Sequence, residues 1–226
     1  MPKAIHFIFN PSEIGAGTRG ASLGPEAIRA AARTKGSQRF AQHPIKVITE
    51  QNDLLDHTSP FPFAKNIDGL QKVFDSLNSN IASTITDGAF PLIIAGDHSS
   101  AAGTLAALKN AHPQKRIGVI WIDAHADLHS PYTSPSGNLH GMTLATALGE
   151  DNLACKINEP SLVTRESWIK LKGPTQRVRP EDLAYIGLRS TEGPENALIA
   201  KYGIKVFRVP EVRAQGIESV VEQVLA

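Results

Sequence analysis

The run Ile117-Gly-Val-Ile-Trp-Ile122 is apolar at nearly every position and then breaks into Asp-Ala-His-Ala-Asp at 123–127. A strand with one face in water alternates apolar and polar residues; a strand apolar on both faces must be covered on both. This segment therefore specifies the centre of a parallel sheet with helices on each side. The rest of the chain meets that demand. Ala4–Phe9, Ile45–Ile48, Pro91–Ala95, Leu183–Leu188 and Ile204–Val209 read as further strands. Between them, Pro25 opens a helix through EAIRAAAR. Leu70, Phe74, Leu77, Ile81 and Ile85 recur at helical spacing within Ile67–Ile85, and Ser99 or Ser100 caps a helix running to Ala111. Lys156–Pro180 reads as a surface helix plus loop. Right-handed crossovers between such strands give an α/β fold, three-layer αβα with a mostly parallel central sheet. A length of 226 residues fits one domain over 1–226. The last helix, with its stripe of Ile217, Val220, Val221, Val224 and Leu225, ends where another strand is expected, so the domain is expected to be C-terminally incomplete.

Composition removes several classes of partner. Lys plus Arg is 23 and Asp plus Glu is 22, a net charge of +1, which gives no reason to expect nucleic acid or an anionic membrane. The single cysteine, Cys155, allows no internal disulfide and fits a reducing, cytoplasmic compartment. The N-terminus lacks the features of a signal peptide, and no apolar run reaches the ~18 residues of a membrane span.

Asp123, His125 and Asp127 alternate with small residues just as a buried strand ends, so period two is expected to put all three side chains on one strand face, toward the edge where ligands bind in open parallel sheets. Gly96-Asp97-His98-Ser99 ends a second strand and places His98 at the same sheet edge. Several ionisable groups among apolar neighbours call for a counter-charge, and a metal ion supplies one. Mixed nitrogen and oxygen ligands suit Mn, Zn or Fe, and their spread suits two ions with a bridging hydroxide as nucleophile. The bland alternative for D-x-H alone is a satisfied core network.

AGDHS together with WIDAHADLHSPYTSPSGNLHGM resembles the ureohydrolase family of arginases, agmatinases and formiminoglutamases. The likeness runs from Gly20–Arg29 to the segment near Tyr185, and Ser136–Gly141 (SGNLHG) resembles arginases in particular. The resemblance implies an arginase-like fold and hydrolysis of L-arginine to L-ornithine and urea. It implies His98, Asp123, His125 and Asp127 as ligands of two Mn²⁺, with Asp127 also orienting the bridging hydroxide. It implies His140 as the proton-handling histidine, and a histidine exchanges protons near neutrality. Ser136 and Asn138, with Ser134 close by, correspond to positions that hold the α-carboxylate. Glu192 and Glu195 correspond to positions near the α-amino group. His129 stands where arginases commonly have asparagine, which leaves amino-acid specificity open. Without the resemblance, His140 is equally a loop histidine, and Glu192 and Glu195 a solvated turn.

The family's S-x-D-x-D strand and a later glutamate have no counterpart in this sequence, so the chain is expected to be weakly active or inactive alone. The family forms trimers or hexamers, and a complete chain is expected to do the same. Alternatives are an agmatinase, a guanidino-acid hydrolase or a formiminoglutamase. A truncated, non-catalytic metal-binding or assembly protein is another, and a zinc deacetylase of similar fold is a third that SGNLHG argues against.

Overall fold

The computed structural model describes residues 4–226. Its strands are β1 (Ile5–Asn10), β2 (Ile45–Val47), β3 (Phe90–Ala95), β4 (Val119–Ile122), β5 (Leu183–Leu188) and β6 (Lys205–Arg208). The helices are α1 (Gly24–Thr34), α2 (Arg39–Gln42), α3 (Ile67–Thr86), α4 (Ser100–Ala111), α5 (Thr143–Leu148), α6 (Leu162–Lys172), α7 (Gly193–Tyr202), α8 (Val209–Gln215) and α9 (Ile217–Leu225). All strand pairings are parallel.

The strands form three layers with their helices. On one side Ile8 and Ile93 of the sheet meet Leu70, Val73, Leu77 and Ile81 of α3, together with Trp168 and Leu171 of α6. On that same side Val119, Trp121, Leu183 and Tyr185 meet Leu105 of α4, Leu144 and Ala147 of α5 and Leu198 of α7. Helix α4 serves both cores, because Ala102 and Ala107 belong to the first and Leu105 to the second. On the opposite face Phe7 and Phe9 pack against Phe40 of α2, tilted and edge-on respectively, and Ile186 and Phe207 pack under Val220 of α9.

Three local features add to the sequence expectation. Helix α6 is a surface helix, with Leu162, Val163 and Ile169 exposed, and its inner face anchors it through Trp168 and Leu171. Helix α5 has no apolar period to detect because all its residues are buried, and a helix apolar all round shows no stripe. The β6 strand stops at Arg208 and α8 starts at once, with Pro210 in its first turn. The expected central sheet is hydrogen-bonded in two halves, in the orders β2-β1-β3 and β4-β5-β6. Among the described residues no ladder joins β3 to β4.

Candidate active site

Strand β3 ends at Ala95, and the residues after it are fixed by Asp97. One carboxylate oxygen accepts the amides of Gly15 (2.9 Å) and Ala16 (3.2 Å); the other accepts the amide of Ser99 (2.8 Å) and its hydroxyl. Gly96 must be glycine, because a Cβ there would lie 2.6 Å from the carbonyl oxygen of Ser12. His98 is thereby held at the sheet edge, its ring stacked on Trp121 at 4.4 Å.

His98 Nδ1 lies 3.0 Å from Asp123 Oδ2 and 3.0 Å from Asp127 Oδ2. One N–H cannot point at both, and the buried Asp127 Oδ2 has no hydrogen-bond partner. Burial lowers the His98 pKa, but the Asp127 and Asp123 carboxylates outweigh it and hold the imidazole above its ordinary value. One ligand atom from each of the three residues lies within 4.8 Å of the others. An orphaned carboxylate oxygen facing a second carboxylate and an imidazole is a donor set that fits a divalent cation.

Asp123, His125 and Asp127 do not project from one face of a strand as expected, because all three lie beyond the end of β4. Strand β4 ends at Ile122, and Asp123 Oδ1 accepts the amide of His125 in the turn that follows (2.9 Å). Asp127 adopts φ 52°, a left-handed conformation uncommon outside glycine, and its carbonyl accepts the amide of Leu144. This turn, and no pleat, brings Asp123 and Asp127 onto His98. His125 stays exposed with Nδ1 3.5 Å from Asp123 Oδ1, outside the three-residue cluster.

A cavity of about 350 Å³ opens over the cluster, and every residue singled out from the sequence lies on its wall. The 134–140 loop forms one side. Buried Ser134 accepts the Gly137 amide through Oγ (2.9 Å), and Ser136 accepts the Asn138 amide (3.1 Å). The Asn138 side-chain amide donates to the Ala16 carbonyl, and the His140 backbone N–H donates to the Gly15 carbonyl, both at 3.1 Å. The 13–22 segment behind that loop is held by Glu13, whose Oε2 accepts the amides of Gly20 (2.8 Å) and Ser22 (2.7 Å).

Opposite this loop, His129 Nδ1 bonds to Thr133 Oγ1 (3.1 Å), while its buried Nε2 has no partner and sits 3.5 Å from Glu192 Oε2. Glu195 is buried, and its oxygens accept the amides of Leu128 (3.2 Å) and Glu192 (2.9 Å). It is therefore no solvated turn residue; both oxygens hold the frame that presents Glu192. Sequence reasoning missed two contributors. Ser190 lines the cavity just after β5, and Asp97 sets the loop geometry. Asp97 was visible as the acidic neighbour of His98 but had no role until its amide partners were seen.

The model of a known family, the Arginase family, matches residues 3–226. The chain is 32% identical to an arginase of Bacillus subtilis (strain 168) over 235 residues, covering 100% of this chain and 71% of the relative. The crystal structure of arginase from Bacillus cereus is similar with a TM-score of 0.79 and 33% identity, covering 99% of this chain and 70% of that one. The structure of Entamoeba histolytica arginase in complex with L-ornithine is similar with a TM-score of 0.80 and 28% identity, covering 98% and 70%.

Proposed function

The chain belongs to the arginase family, a family of binuclear metal hydrolases, and we propose that its cavity hydrolyses L-arginine to L-ornithine and urea at the named residues. The observation that carries this reading is the convergence of His98, Asp123 and Asp127 at the floor of a cavity walled by the 134–140 loop and Glu192.

His98, Asp123 and Asp127 would hold the metal, with His125 on the rim available to a second ion. When bound, divalent cations supply ionised water at neutral pH and stabilise developing negative charge. Nitrogen and carboxylate ligands together support manganese. The protein's own residues orient the substrate. Ser136 and Asn138 offer a hydroxyl and an amide to the α-carboxylate, and Ser134 fixes their loop through Gly137. Glu192, exposed on the cavity wall, faces the α-amino group, and Glu195 positions it from behind. His129 Nε2, buried and unpartnered, lies beside Glu192 where it bears on amino-acid recognition. In the reaction a water oxygen bonds to the guanidinium carbon, and that carbon loses its bond to the nitrogen carried by the side chain. The departing amine takes a proton, and exposed His140 at the cavity mouth can deliver it.

Helices α4 and α5 contribute to both cores, which supports one domain over residues 1–226. No helix among the described residues is long and apolar enough to cross a membrane. A cytoplasmic trimer or hexamer is the proposed setting, supported by the single cysteine and the family.

Urea release from L-arginine and from agmatine, measured after Mn²⁺ loading with metal content counted, tests the reading. Turnover of arginine over agmatine is expected, because a site that pairs both α-groups rejects a substrate lacking one. Equal turnover would discard the roles given to Ser136 and Asn138, because agmatine lacks the α-carboxylate and keeps the amine.

A further inference from the structure

Around the N-terminal ends of β4 and β5, opposite the strand ends that carry Asp123 and Ser190, the chain gathers cations. A cavity of about 440 Å³ there is walled by Lys109 of α4, by Lys115 and Arg116, and by Arg177, Arg179 and Asp182 from the segment leading into β5. Asp182 is its one carboxylate, and Arg116 takes both oxygens, Nε to Oδ2 at 3.0 Å and Nη2 to Oδ1. Of the five cations, four are left, on a chain whose whole net charge is +1.

Local roles explain part of this. Lys109 lies in the last turn of α4, where the helix dipole favours a cation. Arg177 Nη2 donates to the Leu171 carbonyl near the end of α6 (2.6 Å). Neither Lys109 nor Lys115 pairs with a carboxylate among the described residues, and Arg179 reaches only Glu181, at 3.9 Å. Arg177 is the odd member. It is half-buried, its Nη1 is buried with no acceptor, and it has no carboxylate partner among the described residues. Burial without a counter-charge pushes its pKa down to about 10. A desolvated cation is costly unless an opposite charge is near, and the planar guanidinium fork matches phosphate and carboxylate oxygens.

We propose that this cavity is a second binding site, apart from the one over His98, for a compact polyanion carrying phosphate or carboxylate groups. Its size lies within the ~300–1,000 Å³ of small-molecule sites. Four uncompensated positive charges attract a ligand of three or four negative charges more strongly than a monovalent one. Pro113 and Ile117 are its only apolar side chains, and no aromatic residue lines it among those described, so a nucleobase finds no stacking platform. That favours a compact polyanion over a nucleotide. Bound there, it would bridge the segment ahead of β4 to the segment ahead of β5.

The test is isothermal titration of the full chain, freed of metal so that neither anion meets a cation at His98, with pyrophosphate and with citrate at fixed ionic strength. One anion per chain with a Kd below about 0.1 mM is expected. The tighter of the two tells phosphate from carboxylate groups. Lys115→Gln/Arg179→Gln changes two exposed positions and should weaken binding at least ~10-fold, as should Arg177→Met. Arg33→Gln/Lys35→Gln removes the same two charges from exposed positions at the end of α1, away from the cavity wall, and should leave Kd within about twofold. No binding of either anion below about 1 mM would overturn the proposal. So would unchanged binding by Arg177→Met, or equal weakening in the two double variants, which would mean general attraction to cationic surface. If Arg177→Met does not fold, the two exposed pairs decide alone. Binding is read without turnover, so this site and arginine hydrolysis can fail separately.

Discussion

Asp127 serves backbone and chemistry together: its carbonyl receives the first amides of α5 while its carboxylate faces His98. Asp127→Asn keeps the shape and removes the charge. Metal content should fall, and urea release should drop by more than the roughly 10–100-fold typical of losing a mere supporting partner. Unchanged metal content would remove Asp127 from the ligand set. Glu13 makes a pH prediction. Burial raises its pKa, but the amides of Ser22 and Gly20 and the charge of Arg19 outweigh it and hold the carboxyl below its ordinary value. A carboxylate lowered on folding stabilises the native state fully above its unfolded pKa of about 4.3, and that contribution fades as pH falls through the folded pKa. Melting curves between neutral pH and pH 3 should therefore fall more steeply for the unaltered chain than for Glu13→Gln. Parallel curves would refute this account of the 13–22 segment.

At the scale of elements, α3 is the helix the sequence marks most clearly, and its period matches its burial. Leu70, Phe74, Leu77 and Ile81 all face the core, and Leu77 is fully buried. Leu77→Ala should destabilise the protein by about 2–5 kcal/mol, read from denaturant unfolding. A loss under ~1 kcal/mol would mean that the α3–α4 contact repacks around the cavity. The 134–140 loop depends instead on one glycine. Gly137 has φ +74°, and a Cβ there would lie 2.1 Å from the Pro62 carbonyl oxygen. Gly137→Ala should cost about 1–3 kcal/mol of strain and also shift Ser136 and Asn138, raising KM for arginine. A stable variant with unchanged KM would show that the loop does not set substrate position.

The whole molecule places the proposed metal ligands His98, Asp123 and Asp127 at the junction of two half-sheets, so metal binding and folding should be coupled. A ligand that binds only the native state stabilises it by about 2.7 kcal/mol at a hundred times its dissociation constant. Mn²⁺ should therefore raise the melting temperature, EDTA should reverse the rise, and His98→Ala should abolish it. An equal rise in the variant would place the bound ion elsewhere. Strand and helix types were legible because they follow from period and composition within a few residues, as in β5 at Leu183–Leu188. His98 and the Asp123–Asp127 cluster were legible because their types and spacing stand at the ends of buried strands, whereas His129, the 134–140 loop and the Glu192–Glu195 pair were marked only by the family resemblance. Three things depended on parts of the chain far apart in sequence. The turn at Asp127 selects Asp123 and Asp127 over His125 as partners of His98. The amides of Leu128 and Glu192 claim both oxygens of Glu195. The absence of a ladder between β3 and β4 among the described residues divides the sheet into two halves. Local sequence thus determined which segments become strands and helices and which residues gather at their ends. Tertiary structure alone decided which of those residues meet, because hydrogen-bond partners and sheet neighbours are settled by packing between distant segments.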